Sequence, residues 1–237
     1  MTPSKKSNTK PQLIIIIGPP GAGKGTQAEL LSEKLNLYHW ETSRIVGNMI
    51  ASAKKGAFVI INRKKYYFEE ERKLRESGKL WNPPFVSHLM EKKLIELAKE
   101  GKGIALSGSP RTLYEAETIT PLLKKLYGTR NIKLLLIKIK PKDSIWRNLH
   151  RRECSLIHHS ILFSKETAKL TKCPLDGSRI VKRKDDKVEV IKVRLEQYKK
   201  RTEPVIGSLE KQKIKIIKIN GSPAPAIVFK NILKALK

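Results

Sequence analysis

The feature that most constrains this chain is a glycine-rich turn between a continuous apolar run and a helical pattern. Leu13–Ile17 is uninterrupted and rich in isoleucine, which is typical of a strand buried on both faces of a parallel sheet. The turn GPPGAGKGT follows at positions 18–26. Apolar residues then recur at Ala28, Leu31 and Leu35, as on one face of a helix. A strand, a glycine-rich turn and a helix in immediate succession predict a phosphate-binding loop.

The residue types of this turn fit polyphosphate chemistry. Its glycines allow backbone angles that point successive N–H groups at phosphate oxygens, and the following helix adds its positive N-terminus. Lys24 supplies a mobile cation to the β- and γ-phosphates, and Thr26 supplies a hydroxyl for Mg²⁺. We therefore predict that ATP, with Mg²⁺, binds along Gly21, Ala22, Gly23, Lys24, Gly25 and Thr26.

The rest of the chain alternates short apolar segments with helical patterns. The apolar segments lie at 104–106, 133–139 and 214–219, and the last of these alternates with lysine, as expected near a sheet edge. Helical patterns fit about 85–100, 112–127, 142–152, 186–201 and 225–236. This alternation predicts an α/β fold, a doubly wound parallel sheet of the P-loop NTPase type.

Two stretches interrupt this rhythm and are interpreted as insertions that cover the site. We predict a disordered basic tail at 1–11 and a single domain at 12–237. Its core would comprise 12–41, 83–150 and 183–237. A monophosphate-binding insertion would span 42–82, and a lid would span 151–182.

Charge is the unusual part of the composition. Fifty Lys and Arg residues against 22 Asp and Glu give a formal net charge of +28, which attracts nucleotides, RNA and other polyanions. Aromatic residues make up only 6%, so no stacking platform for single strands stands out. A lysine-rich proteome, or a location beside RNA without recognition of it, is the simpler explanation of the charge. With two cysteines and no apolar stretch of membrane-spanning length, we expect a cytoplasmic monomer that is not bound to a membrane.

Motifs spread along nearly the whole chain resemble the adenylate kinase family. The turn at 18–26, continued by Gln27-Ala28, matches the family's glycine loop almost letter for letter. The segments SGKL at 77–80 and GSPRT at 108–112 resemble its acceptor-side motifs. Further matches, in the expected order, are Arg147, Arg151-Arg152, RKDD at 183–186, RLxxY at 194–198, TEP at 202–204 and INGS at 219–222.

The resemblance implies transfer of the ATP γ-phosphate to a nucleoside monophosphate, AMP above all. The residues that it implies for catalysis are Lys24, Arg111, Arg151, Arg183 and Arg194, with Asp185 and Asp186 orienting the arginines. Arg151 and Pro223 join the loop in binding ATP. The acceptor would contact Thr42, Lys79, Leu80, Trp81, Gly108, Arg111, Glu115, Arg183 and Arg194. A kinase for another monophosphate, or a catalytically weak nucleotide-binding module associated with RNA, stays open as an alternative.

Departures from the family pattern cluster on the acceptor side. The arginine expected to bind the acceptor phosphate is Gly47 here, and Arg44 is one candidate to replace it. Ser107 stands where the family has an aspartate that holds waters on Mg²⁺, and Glu115 replaces a glutamine that reads adenine. Trp81 either stacks on a base or fills an insertion that is longer than usual.

The lid contains residues that resemble the zinc site of some family members. Cys154 and Cys173-x-x-Asp176 match that pattern, but the second position of the first pair is Ile157. His158 or His159 is a candidate for the missing ligand, and a Cys154, His158, Cys173 and Asp176 set suits tetrahedral structural Zn²⁺. The alternative is a lid that packs without metal.

Overall fold

The computed structural model describes residues 11–157, 160–182 and 186–237. The predicted tail is therefore outside the description, except for Pro11. The strands, numbered in chain order, are β1 (Leu13–Ile17), β2 (Tyr38–Glu41), β3 (Phe58–Ile61), β4 (Lys64–Tyr67), β5 (Ile104–Ser107), β6 (Ile132–Lys138), β7 (Arg152–Cys154), β8 (Ser160–Ile161), β9 (Ile180–Val181) and β10 (Lys215–Asn220).

The helices lie between these strands and at the C-terminal end. They are α1 (Lys24–Leu35), α2 (Thr42–Ser52), α3 (Phe68–Glu76), α4 (Pro83–Lys99), α5 (Leu113–Tyr127), α6 (Pro141–Leu149), α7 (Val188–Gln197), α8 (Glu203–Lys211) and α9 (Pro225–Leu236). A 3₁₀ turn spans Thr129–Asn131, and a π-helical segment, Tyr198–Thr202, joins α7 to α8. Of the described helices, none is long and apolar enough to cross a membrane.

A parallel sheet with strand order β10-β6-β1-β5-β2 forms the centre of the molecule. The side chains of β1 alternate between two cores. Ile14 and Ile16 pack with α1 and α9, whereas Leu13, Ile15 and Ile17 pack with α4, α5 and α8. Helices therefore cover both faces of the sheet, which confirms the predicted doubly wound α/β class.

The sequence analysis predicted one edge strand of the sheet and missed the other. The lysine-alternating segment forms β10 at one edge, as predicted. The other edge is β2, which the sequence analysis did not identify as a strand. Only Trp40 of its four residues is buried, so β2 lacks the continuous apolar signal of a central strand. It pairs with β5 in a register that places Glu41 beside Ser107.

The two stretches that we interpreted as insertions each contain a small structural unit of their own. Within 42–82 lie α2, a hairpin of β3 and β4, and α3. Within 151–182 lies a small antiparallel sheet of order β8-β7-β9. The limits of the insertions as functional units stay predictions.

Candidate active site

A cleft of 440 Å³ lies at the carboxyl ends of the central strands. The glycine-rich loop forms its floor, and the turn after β5 and the loop before α9 form its walls. Residues of the 42–82 unit line one side, and residues around β8 line the other. In open parallel sheets, ligands bind in such a crevice because the loops that follow the strands converge there.

Close packing fixes the shape of the glycine-rich loop. A Cβ at Gly18 would lie 2.5 Å from the carbonyl oxygen of Ile137, and one at Gly21 would lie 2.7 Å from Asn148 Nδ2. Gly23 adopts the left-handed conformation, with φ of 83°, immediately before α1 begins. Lys24 Nζ donates a hydrogen bond of 2.8 Å to the carbonyl oxygen of Pro19, which folds this side chain back over the loop.

Positive charge converges on Lys24 from three other segments. Burial lowers the pKa of Lys24 well below its ordinary value, and the positive charges of Arg111, Arg194 and Arg151 lower it further. Glu41 acts in the opposite direction. The negative charge of a bound polyanion would act against these effects and raise the pKa of Lys24. The arrangement suits a ligand with several phosphates.

Asp186 holds two of these arginines together. Arg151 Nε donates to Asp186 Oδ2 at 2.8 Å and Arg151 Nη2 donates to Oδ1 at 2.5 Å, while Arg194 Nη1 donates to Oδ1 at 3.4 Å. The Asp186 side chain is only 3% exposed. A bidentate pair of this kind fixes the plane of the guanidinium. Arg183 and Asp185, which the sequence analysis also assigned to this group, lie outside the described residues.

The loop before α9 is tied to the donor side of the cleft. Arg147 Nη1 and Nη2 each donate a hydrogen bond of 2.8 Å, to the carbonyl oxygens of Gly221 and Ser222. Gln27 Nε2 donates to the carbonyl oxygen of Pro225 at 3.0 Å. Pro223, predicted to bind ATP, lies between these anchors and lines the cleft.

An aromatic group at the mouth of the lid was not found from the sequence. Trp146 and His150 stack with ring centroids 4.5 Å apart, and Phe163 lies 4.8 Å from His150. All three residues line the cleft. The spacing of Trp146 and His150 by one helical turn was the available signal, but Phe163 comes from a distant part of the lid.

The predicted acceptor residues that the structure describes line the opposite part of the cleft. They are Thr42, Lys79, Leu80, Trp81, Gly108, Arg111, Glu115 and Arg194. Glu71, which is fully buried on α3, organises this side. Its carboxylate accepts hydrogen bonds from Asn82 N at 3.0 Å and Asn82 Nδ2 at 2.6 Å. This contact fixes the segment that carries Leu80 and Trp81.

Comparison with known proteins agrees with the nucleotide-binding character of this cleft. The family model described as "Adenylate kinase" matches residues 16–214. The chain belongs to the adenylate kinase family. It is 32% identical over 224 residues to the adenylate kinase of Clostridium botulinum (strain Langeland), covering 94% of this chain and 97% of the relative. It is 34% identical over 227 residues to the adenylate kinase of Buchnera aphidicola subsp. Cinara cedri, covering 93% and 94%.

In this adenylate kinase family member, Glu115 has local partners that the sequence analysis did not anticipate. Thr112 Oγ1 and the Arg111 backbone N–H each donate to its carboxylate at 3.1 Å, and Glu115 N donates to Thr112 Oγ1 at 3.2 Å. Thr112 thus caps the start of α5, and Glu115 reaches back to the backbone N–H of Arg111, the residue before the cap. Burial raises the pKa of Glu115, although its hydrogen bonds and the charge of Arg111 oppose this. Contact with a base stays a prediction.

Trp81 packs against the core at the wall of the cleft. Its side chain is 9% exposed and packs in the larger of the two hydrophobic cores. The guanidinium carbon of Arg75 lies 5.7 Å from its ring centroid. This burial favours the filling role over stacking on a base.

A carboxylate close to the phosphate loop comes from β2. Ser107, which replaces the family's aspartate, donates through Oγ to the carbonyl oxygen of Trp40 at 3.3 Å. Its register partner Glu41 directs its carboxylate at the loop, and Glu41 Oε2 would lie 3.8 Å from a Cβ at Gly25. Thr26 lines the same cleft. Carboxylate and hydroxyl oxygens suit Mg²⁺, so the donor set fits this ion.

The lid contains three potential zinc ligands in close proximity. Ligand atoms of Cys154, Cys173 and Asp176 all lie within 4.8 Å of one another. Both cysteines are buried, and hydrogen bonds to the Asp176 side chain from Ser178, Cys154 and Cys173 hold the pKa of that carboxyl well below its usual range. These features fit a tetrahedral metal. The predicted fourth ligand, His158, lies outside the described residues.

Proposed function

We propose that this chain catalyses transfer of the γ-phosphate of ATP to AMP, giving two molecules of ADP. The observation that carries the proposal is the convergence of Arg111, Arg151 and Arg194 on Lys24 above the glycine-rich loop. Phosphoryl transfer needs positive charge around the moving group because negative charge spreads over its equatorial oxygens. Membership of the adenylate kinase family supports the same reaction.

The donor would bind with its phosphates along residues 18–26 and with Lys24 at the β- and γ-phosphates. Thr26 and Glu41 would hold Mg²⁺, which neutralises charge on the phosphates when it is bound. The loop anchored by Arg147 would receive the adenosine part of ATP. Since Asp186 already fixes the guanidinium of Arg151, little reorganisation is needed at the moment of transfer.

The acceptor would bind between Thr42, the Leu80–Trp81 segment and the turn that carries Gly108 and Arg111. An oxygen of the AMP phosphate attacks the γ-phosphorus, and the bond from that phosphorus to the β,γ-bridging oxygen breaks. The electron pair of that bond stays on the leaving ADP. No general base is required because the attacking phosphate is already an anion. Positioning and electrostatic stabilisation account for the rate.

The lid would exclude water from this reaction. Closure of 151–182 over the loop would bring Arg151 and Phe163 around the donor, beside Trp146 and His150 at the end of α6. Exclusion of water strengthens electrostatic interactions and suppresses hydrolysis of ATP.

Coupled turnover tests the proposal. Purified protein with ATP and Mg²⁺ is given AMP, GMP, CMP or UMP in separate reactions, with Lys24→Ala as the inactive control. Rapid ADP formation with AMP alone is the expected result. Preference for another acceptor would replace AMP in the proposal. ATP binding without transfer to any of the four would overturn it and favour a silent nucleotide-binding module.

We also propose that the lid binds one structural Zn²⁺ through Cys154, Cys173, Asp176 and His158. Metal analysis of protein expressed with zinc is expected to find about one Zn²⁺ per chain. That content should fall in Cys173→Ser, and a chelator should lower the melting temperature of the wild type alone. A wild type that contains no zinc and whose melting temperature does not change with the chelator would contradict this assignment.

A further inference from the structure

The interior of α2 contains a glycine that its backbone does not require. Gly47 lies in the middle of the Thr42–Ser52 helix and has no positive φ. Glycine in a helix interior is about 1 kcal/mol less favourable than alanine. The same position is the one where the resemblance predicts an arginine for the acceptor phosphate. A reason for this glycine must therefore come from its surroundings.

The guanidinium of Arg75 occupies the space beside Gly47. A Cβ at Gly47 would overlap Arg75 Nη1, and it would lie 3.1 Å from Arg75 Cζ and 3.6 Å from Nη2. Arg75 lies in the last turn of α3, 28 positions after Gly47 in the chain. The positive charge of Arg75 therefore lies at the position that the Cβ of an arginine at position 47 would occupy.

The surroundings of Arg75 hold it near this position. Arg72, one helical turn earlier, donates through Nη2 to the carbonyl oxygen of Ile50 at 3.0 Å, which ties α3 to α2. Gly78 packs closely against Val190: a Cβ at position 78 would lie only 2.9 Å from the Val190 carbonyl oxygen. Both ends of the segment that carries Arg75 are therefore anchored.

The charge of Arg75 faces the cleft together with another arginine. Both Arg75 and Arg111 line the cleft. Burial lowers the pKa of Arg111 most, Glu115 and Glu41 act in the opposite direction, and the positive charge of Arg75 adds to the lowering. Among the described residues, no carboxylate forms an ion pair with Arg75. Two guanidinium groups that line one cleft, one of them without an ion-pair partner among the described residues, suit an anionic ligand such as a phosphate.

We infer that Arg75 binds the phosphate of the acceptor nucleotide and so replaces the arginine that is missing at position 47. The inference deepens the proposed function, on which it rests for the identity of the acceptor. It assigns the role to Arg75 on α3 and not to Arg44 on the first turn of α2, because the guanidinium of Arg75 occupies the space beside Gly47.

Binding of AMP and of adenosine separates a phosphate contact from a general effect on the site. Arg75→Met should weaken AMP binding by about 10- to 150-fold, the range for a charged hydrogen bond, and leave adenosine binding unchanged. Lys73→Met, which removes an exposed charge from the same helix, is the matched control and should change neither. Calorimetry on the full chain measures both ligands.

A charge swap gives a second and independent test. Gly47→Arg alone should weaken AMP binding because the new side chain displaces Arg75. Combined with Arg75→Ala it should recover at least about tenfold of the affinity that Arg75→Ala loses, a coupling of ordinary size for residues in contact. Arg75→Ala alone should still melt near the wild-type temperature, since this side chain is exposed.

The outcomes separate this inference from the proposed function. If Arg75→Met keeps the wild-type preference for AMP over adenosine, or if Arg44→Met loses it instead, the inference is wrong. If the wild type shows no such preference, it is wrong as well. A wild type that binds AMP through Arg75 but forms no ADP would overturn the proposed function and leave the inference standing.

Discussion

The donor and acceptor sides of the cleft hold their charged groups in different ways. On the donor side, Lys24, Arg151 and Asp186 occupy the motif positions that the family pattern predicts. On the acceptor side, Gly47 and Ser107 occupy positions where an arginine and an aspartate are expected, while Arg75 and Glu41 bring the same charges from neighbouring elements. A site can therefore keep its electrostatic arrangement while individual sequence positions lose it.

Physical constraints differ between the two sides. The donor loop is built from backbone N–H groups and close glycine contacts, so few other sequences fit its geometry. The acceptor charges sit on long side chains, and these reach one point in space from several backbone positions. This comparison predicts that substitutions on the donor side are the more damaging.

Lys24→Ala should have the largest effect. It removes the cation at the transferred phosphate, and we expect kcat to fall by about 1000-fold or more. Lys34→Ala, which removes an exposed lysine near the end of the same helix, serves as the control in the coupled assay. Equal turnover in Lys24→Ala and wild type would end the proposal that this loop performs the chemistry.

Asp186→Asn should have the next largest effect. The amide cannot hold Arg151 and Arg194 as an ionised carboxylate does, and we expect kcat to fall by about 10- to 100-fold with the acceptor KM less affected. Glu196→Gln, on the same helix as Arg194, removes an exposed ion pair with Lys200 and should change little. Matching losses in the two variants would mean that the buried network has no special role.

Glu41→Gln tests whether the relocated carboxylate serves the metal. We expect the affinity for ATP in the presence of Mg²⁺ to fall by about tenfold, with little change when Mg²⁺ is absent. The exposed Glu33→Gln on α1 controls for the loss of one negative charge. Glu41→Ser combined with Ser107→Asp should restore the Mg²⁺ dependence, since the two positions are register partners on adjacent strands. A loss that is equal with and without Mg²⁺ would contradict this role.

Sequence reasoning succeeded where the signal is local. The strand Leu13–Ile17, the loop after it and α1 are contiguous, so their pattern predicts both their structure and their ligand. Motif order also placed Asp186 with its arginines, although no single motif was specific. The predicted monomeric state, cytoplasmic location and attraction to RNA stay predictions.

Sequence reasoning failed where the signal is spatial. The sequence identifies Gly47 and Ser107 as losses, but only packing and strand register identify Arg75 and Glu41 as the neighbouring charges. A glycine in the interior of an amphipathic helix was the available hint for Arg75. Glu41 had no such hint because β2 itself was not recognised. Glu115 was assigned to the base by analogy, whereas the TLYE pattern at 112–115 also fits the sequence signature of a helix N-terminus.

Glu115→Gln should have the smallest effect. It tests the comparison of the donor and acceptor sides with a substitution on the acceptor side. The amide can accept from the Arg111 backbone N–H and donate to Thr112 Oγ1, so the cap at α5 is kept. It also restores the residue that the family uses for adenine. We expect the KM for AMP to fall by a few-fold, about 0.5 to 1 kcal/mol in binding.

The pH dependence of stability gives this variant a second measurement. Because burial raises the folded-state pKa of Glu115, its contribution to stability is fully present below the ordinary glutamate pKa of about 4.3 and is lost as pH rises through the folded value. Glu115→Gln lacks this loss, so its melting temperature should exceed that of the wild type increasingly as pH rises. The exposed Glu117→Gln should follow the wild type. A constant difference across the pH range would mean that Glu115 is ionised without penalty, and that Arg111 compensates its burial fully.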